Sequence, residues 1–522
     1  MTLMLTLGTA TFGAQKTLPS GKDTGSINVT NLKPGDTVTA YQFVKADYNE
    51  YGFTGYSAIN NYVKDPVAPT AQEVIDMASN AATMTVAAEK KVATGDTEVT
   101  LNGLPVGYYL VMVTSGSETV YSPMIAGIYY SKSATDNTLT NGAISADSDF
   151  EIKAQKCWAK SSTPKLEKTI VTPSSKNSKG DDIAIGDKIT FNLSATVPSY
   201  SKEYKKVTYK IYDIMSEGLD YVDGSMKCFI EKYENNRENI KVTPKVNGGI
   251  IEITFDSKFI LEHPGQKIQV EYQAKLNEKA GVNFDANINK AYLEYSNNPA
   301  SGSTAKTGED KVYVYTFGID SNLFGKSTEK WNEKTKELIK VEEGEYQWGE
   351  TEKESGIFTT TTALEGATFT LTNNKTKKSY TATSDKYGYL KFTGLDAGEY
   401  TLQETDAPDG FTLNDAKHTV VITAEYNQDG TLKSYTIKID DKATSTYTAT
   451  YDKGVIKTIT STKDSQGNIS ESAILKNSKM SFLPSTGGVG TTIFAIVGVV
   501  FVVVALGLHM ILRGKSKLEQ DR

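Results

Sequence analysis

Apolar residues in this chain recur at every second position over short runs. In Val207–Asp213 (VTYKIYD), Val207, Tyr209, Ile211 and Asp213 alternate with polar neighbours; in Tyr400–Glu404, Tyr400, Leu402 and Glu404 do the same. Residues at i, i+2 and i+4 share a face when the chain is a strand. Many such runs, rich in Thr, Tyr and Val and punctuated by Gly, predict an all-β chain of tandem β-sandwich domains. One stretch breaks the pattern: APTAQEVIDMASNAAT (Ala68–Thr83) predicts a single helical insertion. The 522 residues suffice for roughly three or four domains. A hydrophobic content of 38% supports packed cores but not a multi-span membrane protein.

The expected divisions are 15–158, 160–315 and 316–480. Turn-rich SSTP (Ser161–Pro164) and PSSKNSKG (Pro173–Gly180) fall near the first boundary. GLPVGYYLVMV (Gly103–Val113) and GLDAGEYTLQE (Gly394–Glu404) echo each other as G-L-x-x-G-x-Tyr, a turn feeding a strand. The first and third domains are therefore expected to share a sandwich plan. Val113 stands where Glu404 stands.

The net charge is −7, which argues against a nucleic-acid partner. Three histidines, one of them (His509) in an apolar tail, leave little material for a histidine-based catalytic or metal site. No Ser-His-Asp pattern, Gly-rich phosphate loop or zinc-ligand spacing occurs, so neither an enzyme nor a cofactor or metal is expected. Cys157 and Cys228 are too few for a disulfide scaffold, and the sequence leaves open whether they pair. Residues 1–14 (MTLMLTLGTATFGA) read as the latter part of a secretory signal peptide whose basic n-region is missing, which leaves the true start open.

Val489–Leu512 is free of charge and longer than the roughly 20 apolar residues a membrane-spanning helix needs. Arg513, Lys515 and Lys517 follow, and basic flanks stay cytoplasmic. The rest of the chain is then outside the cell. Directly before the apolar run stand Leu483, Pro484, Ser485, Thr486 and Gly487.

LPSTG, an apolar span and a basic tail, in that order over 482–522, resemble a Gram-positive cell-wall sorting signal. The resemblance implies that a membrane sortase cleaves between Thr486 and Gly487 through an acyl-enzyme, which an amine resolves. The domains add to it. Leu166, Lys168 and Ile170 share a face, as do Asn289, Ala291, Leu293 and Tyr295, so a lysine, an acid (Asp213) and an asparagine all point inward in the middle domain. In the third, Leu338 and Lys340, Glu404, and Ala473, Leu475 and Asn477 repeat the set, with Lys326 a second candidate lysine. YTLQETDAPDGF is similar to the pilin E-box, and YKIYDIMSEGLDY resembles the Asp-bearing strand of collagen-adhesin stalks.

These stretches resemble the Cna-type isopeptide-forming domains of sortase-assembled pilins, with immunoglobulin-like folds in an elongated chain. The resemblance implies a Lys168–Asn289 bond with Asp213 as acid, and a Lys340–Asn477 bond with Glu404, between the first and last strands of each domain. It implies none in the first domain. It also implies an outward lysine that receives Thr486 of the next subunit. Trp158-Ala159-Lys160 is the nearest match to the family's aromatic–Pro–Lys motif, with Lys156 and Lys153 close by. The expected function is the backbone subunit of a pilus, with sortase, identical subunits, ancillary pilins, peptidoglycan and a possible host surface ligand as partners. The alternative is a wall-anchored monomeric adhesin whose first domain binds a ligand.

Overall fold

The computed structural model describes residues 18–461 and 473–476, apart from 117, 133–142, 145–149, 172–176, 234–235, 320–323, 328–336, 343–344, 350–359, 363, 386–389, 441–442 and 462–472. The leader expected at 1–14, the LPSTG pentapeptide and the apolar run 489–512 lie outside these. Among the described residues no helix is long and apolar enough to cross a membrane.

The first unit packs two sheets. One places Thr24–Thr30 between Glu98–Pro105 and the parallel Cys157–Trp158. The other runs in the order Gly52–Ala58, Thr37–Asn49, Gly107–Thr114, Met124–Ser131, Glu151–Ala154. The expected helix is Ala71–Ser79, capped by Thr70 and Glu73 in reciprocal hydrogen bonds. It buries Val74, Met77 and Ala78 with Phe43, Tyr108 and Leu110. Ser161–Ser162, beyond the expected end at 158, pairs with Val120–Tyr121.

The middle unit is a sandwich. Its first sheet runs Leu166–Ile170, Lys188–Thr196, Lys267–Leu276, Lys227–Tyr233, Asn236–Ile240. Its second runs Gly180–Asp182, Asp310–Tyr315, Asn287–Asn298, Tyr209–Met215, Ile250–Thr254, Lys245–Asn247. Phe191, Tyr272, Ile211, Ile253 and Leu293 fill the space between. The third unit carries a seven-stranded sheet that places Gly398–Asp406 between Thr368–Asn373 and Lys417–Tyr426.

The echo between the first and third units has a structural counterpart. Gly103 and Gly394 both have positive φ, +70° and +77°, which a Cβ would strain. The tyrosine that follows each is buried and donates to the carbonyl four residues back: Tyr109 to Pro105 at 2.5 Å, Tyr400 to Asp396 at 2.8 Å. Cys157 lies in the first core and Cys228 in the middle one; both are free, and burial pushes both thiols up to about 12.

The middle and third units meet through a polar clasp. Asp182 accepts from Tyr426 Oη at 2.6 Å and from the Ala397 amide at 2.5 Å. Lys378 Nζ reaches the Ile185 carbonyl at 2.6 Å and Asp187 at 3.0 Å. Gly180 and Gly430 touch backbone to backbone, and a Cβ on Gly180 would lie 2.3 Å from the Gly430 carbonyl oxygen. Burial pushes the Asp182 carboxyl up to about 6, with the Asp181 and Asp396 charges adding to the rise and the two donors opposing it. In the unfolded chain an aspartate titrates near about 4. Between these values the folded chain holds a proton that the unfolded chain has lost, so the contribution is present at low pH and is lost as pH rises through about 6. The thermal midpoint of the wild type is therefore expected to fall relative to that of Asp182→Asn between about pH 4 and 7. A difference that stays flat with pH would contradict this.

Candidate functional site

Lys168 is the first charged residue to consider, because it is wholly buried. A buried ammonium needs a partner. Its strand (Leu166–Ile170) is an edge of the first sheet, with Lys168 opposite Leu193. The alternation turns Leu166, Lys168 and Ile170 inward, so the lysine crosses the core to the other sheet. There Asp213 lies opposite Ala291, and Asn289 lies opposite Met215, two positions along. These pairings put the acid and the amide side by side on one inner face. Lys168, Asp213 and Asn289 are all fully buried.

The three side chains meet around a fourth. Lys168 Nζ donates to Asp213 Oδ2 and, at 3.1 Å, to Tyr272 Oη. Tyr272 Oη donates to Asp213 Oδ1 at 2.7 Å and accepts from Asn289 Nδ2 at 2.7 Å. Asn289 Oδ1 is buried and has no hydrogen-bond partner among the described residues. Nearby Asn287 is different, since its amide is held by Gly281 and the Val314 carbonyl. The Phe191 and Tyr272 rings flank Lys168 Nζ, with centroids at 5.0 and 5.3 Å.

Burial lowers the pKa of Lys168, against the pull of Asp213. Burial likewise raises that of Asp213, against the pull of Lys168. Desolvation thus favours the neutral partners, a free amine beside a protonated acid. Such a pair carries a nucleophile and a proton donor next to an amide, sealed from bulk solvent.

Asn289 was expected on the last strand of its domain. It lies instead in the middle of the second sheet, because Ser303–Lys306 and Asp310–Tyr315 follow it and both pair with its strand. Sequence reasoning passed over Tyr272. It sits in an ordinary apolar alternation (Ile268, Val270, Tyr272, Ala274, Leu276), and only the cross-sheet geometry reveals its hydroxyl.

In the third unit, Glu404 is buried on the inner face with Tyr400 and Leu402, opposite Phe369, and Oε2 accepts the Asn414 amide at 2.8 Å. Asn477 lies outside the described residues. Lys340 was expected on the first strand; it falls on a hairpin, Glu337–Glu342 with Glu345–Gly349, opposite Tyr346. The strand beside Ala473–Lys476 is Phe324–Ser327, running parallel, with Lys326 in register with Leu475. In the first unit, Val113 is buried opposite Val38. Of the surface lysine candidates, Lys160 and Lys156 are exposed and Lys153 is buried. Lys160 sits between two short strands with its carbonyl bonded to the Ser122 amide at 3.0 Å. Ala159, where the family motif has Pro, donates its amide to the Thr30 carbonyl at 3.0 Å, a bond Pro lacks the hydrogen to make.

Three family models match the chain: the T6 antigen Ig-like domain over 22–161, the SpaA prealbumin-like fold domain over 357–438, and the LPXTG cell wall anchor motif over 476–517. A modular β chain closed by that motif is a sortase-anchored protein of the Gram-positive cell surface. The chain is 26% identical to the trypsin-resistant surface T6 protein of Streptococcus pyogenes serotype M6, over 95% of its own length and 96% of the relative's. The T6 backbone pilin of that organism, solved as a modular three-domain structure, superposes with a TM-score of 0.58 at 21% identity, over 89% of this chain and all of that one; the likeness is one of fold. With the two domain matches, these are likenesses to sortase-assembled, wall-anchored pilins.

Asp213→Ala leaves Lys168 buried without a counter-charge, whereas Lys168→Met with Asp213→Ala leaves no charge behind. The double variant is therefore expected to be more stable than the single one by roughly 3 kcal/mol. Urea unfolding of the two decides it, and equal midpoints would mean that Lys168 finds another partner.

Proposed function

We infer that this chain is the backbone subunit of a covalent pilus on the Gram-positive cell wall, and that its middle unit cross-links itself through Lys168 and Asn289. The observation that carries the first part is the likeness to the T6 protein along nearly the whole chain, with the anchor motif at its end. The buried Lys168, Asp213 and Asn289 cluster carries the second.

The chemistry runs without a cofactor. Lys168 passes its proton to Asp213, and the neutral amine attacks the Asn289 side-chain carbonyl. Asp213 is the acid that polarises the carbonyl and shuttles protons, and ammonia leaves. Packing holds the reactants together, so confinement supplies the effective concentration. The reaction happens once per molecule. A link from Lys168 to Asn289 stabilises by about 5 kcal/mol if it acts on chain entropy as a disulfide of that span does. It is not reducible.

In the third unit Glu404 is the corresponding acid and Asn477 the amide. The parallel pairing of Phe324–Ser327 with Ala473–Lys476 supports Lys326 over Lys340 as the amine. Between subunits, Thr486 of one chain joins a lysine of the next after sortase cleavage before Gly487. Lys160, exposed on a backbone held from both sides, fits that role; Lys156 is second, and burial counts against Lys153. Ancillary pilins, a host surface ligand and peptidoglycan attachment complete the partners.

Intact mass of the ectodomain is expected to fall short of the sequence by two ammonias. Asp213→Ala should restore one, and Glu404→Ala the other; a full-mass wild type would sink the self-cross-linking. In cells, Lys160→Ala should abolish the high-mass ladder in denaturing gels of wall extracts. A ladder unchanged in Lys160→Ala and lost in Lys156→Ala moves the joint to Lys156. The absence of any ladder from wild-type cells would favour the monomeric adhesin.

A further inference from the structure

The Lys168–Asn289 reaction has a proton problem that Asp213 does not solve alone. Amide nitrogen is a poor leaving group, and Asn289 Nδ2 must gain a proton before it departs as ammonia. Among the described residues, the group within hydrogen-bond distance of Nδ2 is Tyr272 Oη at 2.7 Å. The same oxygen is 2.7 Å from Asp213 Oδ1 and 3.1 Å from Lys168 Nζ. Tyr272 arrives from the first sheet, on Lys267–Leu276, while Asp213 and Asn289 stand on the second. Its hydroxyl therefore bridges acid and leaving group across the core.

We propose that Tyr272 is a catalytic residue of this reaction: its hydroxyl relays a proton from Asp213 to the departing nitrogen of Asn289. The assignment rests on the Lys168–Asn289 cross-link proposed above. Before attack, Nδ2 is a planar amide with no lone pair to offer, so it donates to Tyr272, which donates to Asp213. This is the direction found in the structure. Attack by the neutral Lys168 amine makes the Asn289 carbon tetrahedral, and Nδ2 becomes an amine that can accept. The chain of hydrogen bonds then reverses. Asp213, which holds the proton taken from Lys168, gives it to Tyr272 Oη as the phenolic proton moves to Nδ2. The carbon–nitrogen bond to Nδ2 breaks and ammonia leaves. The new nitrogen–carbon bond remains between Lys168 and Asn289. Tyr272 ends as it began. Asp213, having received one proton and returned it, takes the second proton that the carbon-bound Lys168 nitrogen must lose, and ends as the neutral acid beside a neutral amide. Burial holds the phenol far above its ordinary pKa, so it stays protonated and ready to donate.

The test follows the cross-link in the full chain made in cells. A pulse of label is chased, the chain is digested, and the peptide pair joined through Lys168 and Asn289 is quantified by mass spectrometry against time. Tyr272→Phe keeps the ring and loses the hydroxyl, and its rate is expected to fall by about a hundredfold, the usual range for one positioned proton-transfer group. Replacing Tyr272 by a ring-fluorinated tyrosine keeps shape and hydrogen bonds while acidifying the phenol, and it is expected to change the rate and its pH dependence. A structural role would leave both unmoved. Wild-type chain without the joined peptides overturns the cross-link itself. Wild-type chain with them, and fluorotyrosine chain cross-linking at the same rate and with the same pH profile, overturns the role of Tyr272 alone. The second arm also covers a Tyr272→Phe chain that fails to fold.

Discussion

A lysine ammonium sealed in a sandwich core has no water to solvate it, and the middle unit is arranged around that constraint. Lys168 reaches across the sheets to Asp213, which stands beside Asn289 on the far side, and meets Tyr272 of its own sheet on the way. The charge also requires its strand to stay in place. The Lys168 amide donates to Asp310 at 2.7 Å, and Lys179 Nζ ties the Lys168 carbonyl and Asp310 together at 2.6 Å each. A one-residue slip of this edge strand would turn Lys168 to solvent and Glu167 and Thr169 inward. The buried charge therefore specifies register as well as placing a nucleophile.

The unpartnered oxygen of Asn289 belongs to the same constraint. Leaving a buried acceptor unmade costs roughly 1–3 kcal/mol. Conversion to the cross-link replaces the Lys168 amine and the Asn289 primary amide by one neutral secondary amide, while Asp213 and Tyr272 stay beside it. Burial disfavours the charged reactants far more than a neutral product. The low dielectric that makes the unreacted pair expensive is thus the driving condition for the chemistry proposed for it.

Much of this was legible in period-two alternation. The inward faces of Leu166–Ile170, Tyr209–Met215 and Asn287–Asn298 follow from i, i+2 spacing, which is local. What local spacing does not contain is which strand pairs with which. Asn289 reads as terminal because the strands after it are short and polar on one side. Lys340 reads as first-strand because KELIKVEE alternates well, yet it closes a hairpin with Tyr346, and the parallel partner of Ala473–Lys476 is the less regular Phe324–Ser327. Tyr272 is invisible for another reason. A tyrosine in an apolar face is nearly always core, and its hydroxyl acquires meaning only from groups on the opposite sheet.

The position of Asn289 changes how the proposed link would bear tension. A bond between first and last strands would carry load straight through the unit. A bond from Lys168 to Asn289 shields residues 169–288 and leaves the segment from Asn289 to Tyr315 to carry the rest. There the chain doubles back, with Asn287–Ala291 paired against Asp310–Val314. Pulled along the strands, these pairs shear together instead of unzipping one by one. Asp310 is also tied to the lysine strand by the Lys168 amide and by Lys179, so the last strand is clamped to the first by hydrogen bonds where no covalent link is proposed. From Tyr315 the load passes onward: its hydroxyl accepts the Leu432 amide at 2.9 Å, beside the Asp182 clasp. The compliant element of the middle unit is therefore its last hairpin, and its strength depends on polar contacts that sit outside the reactive cluster.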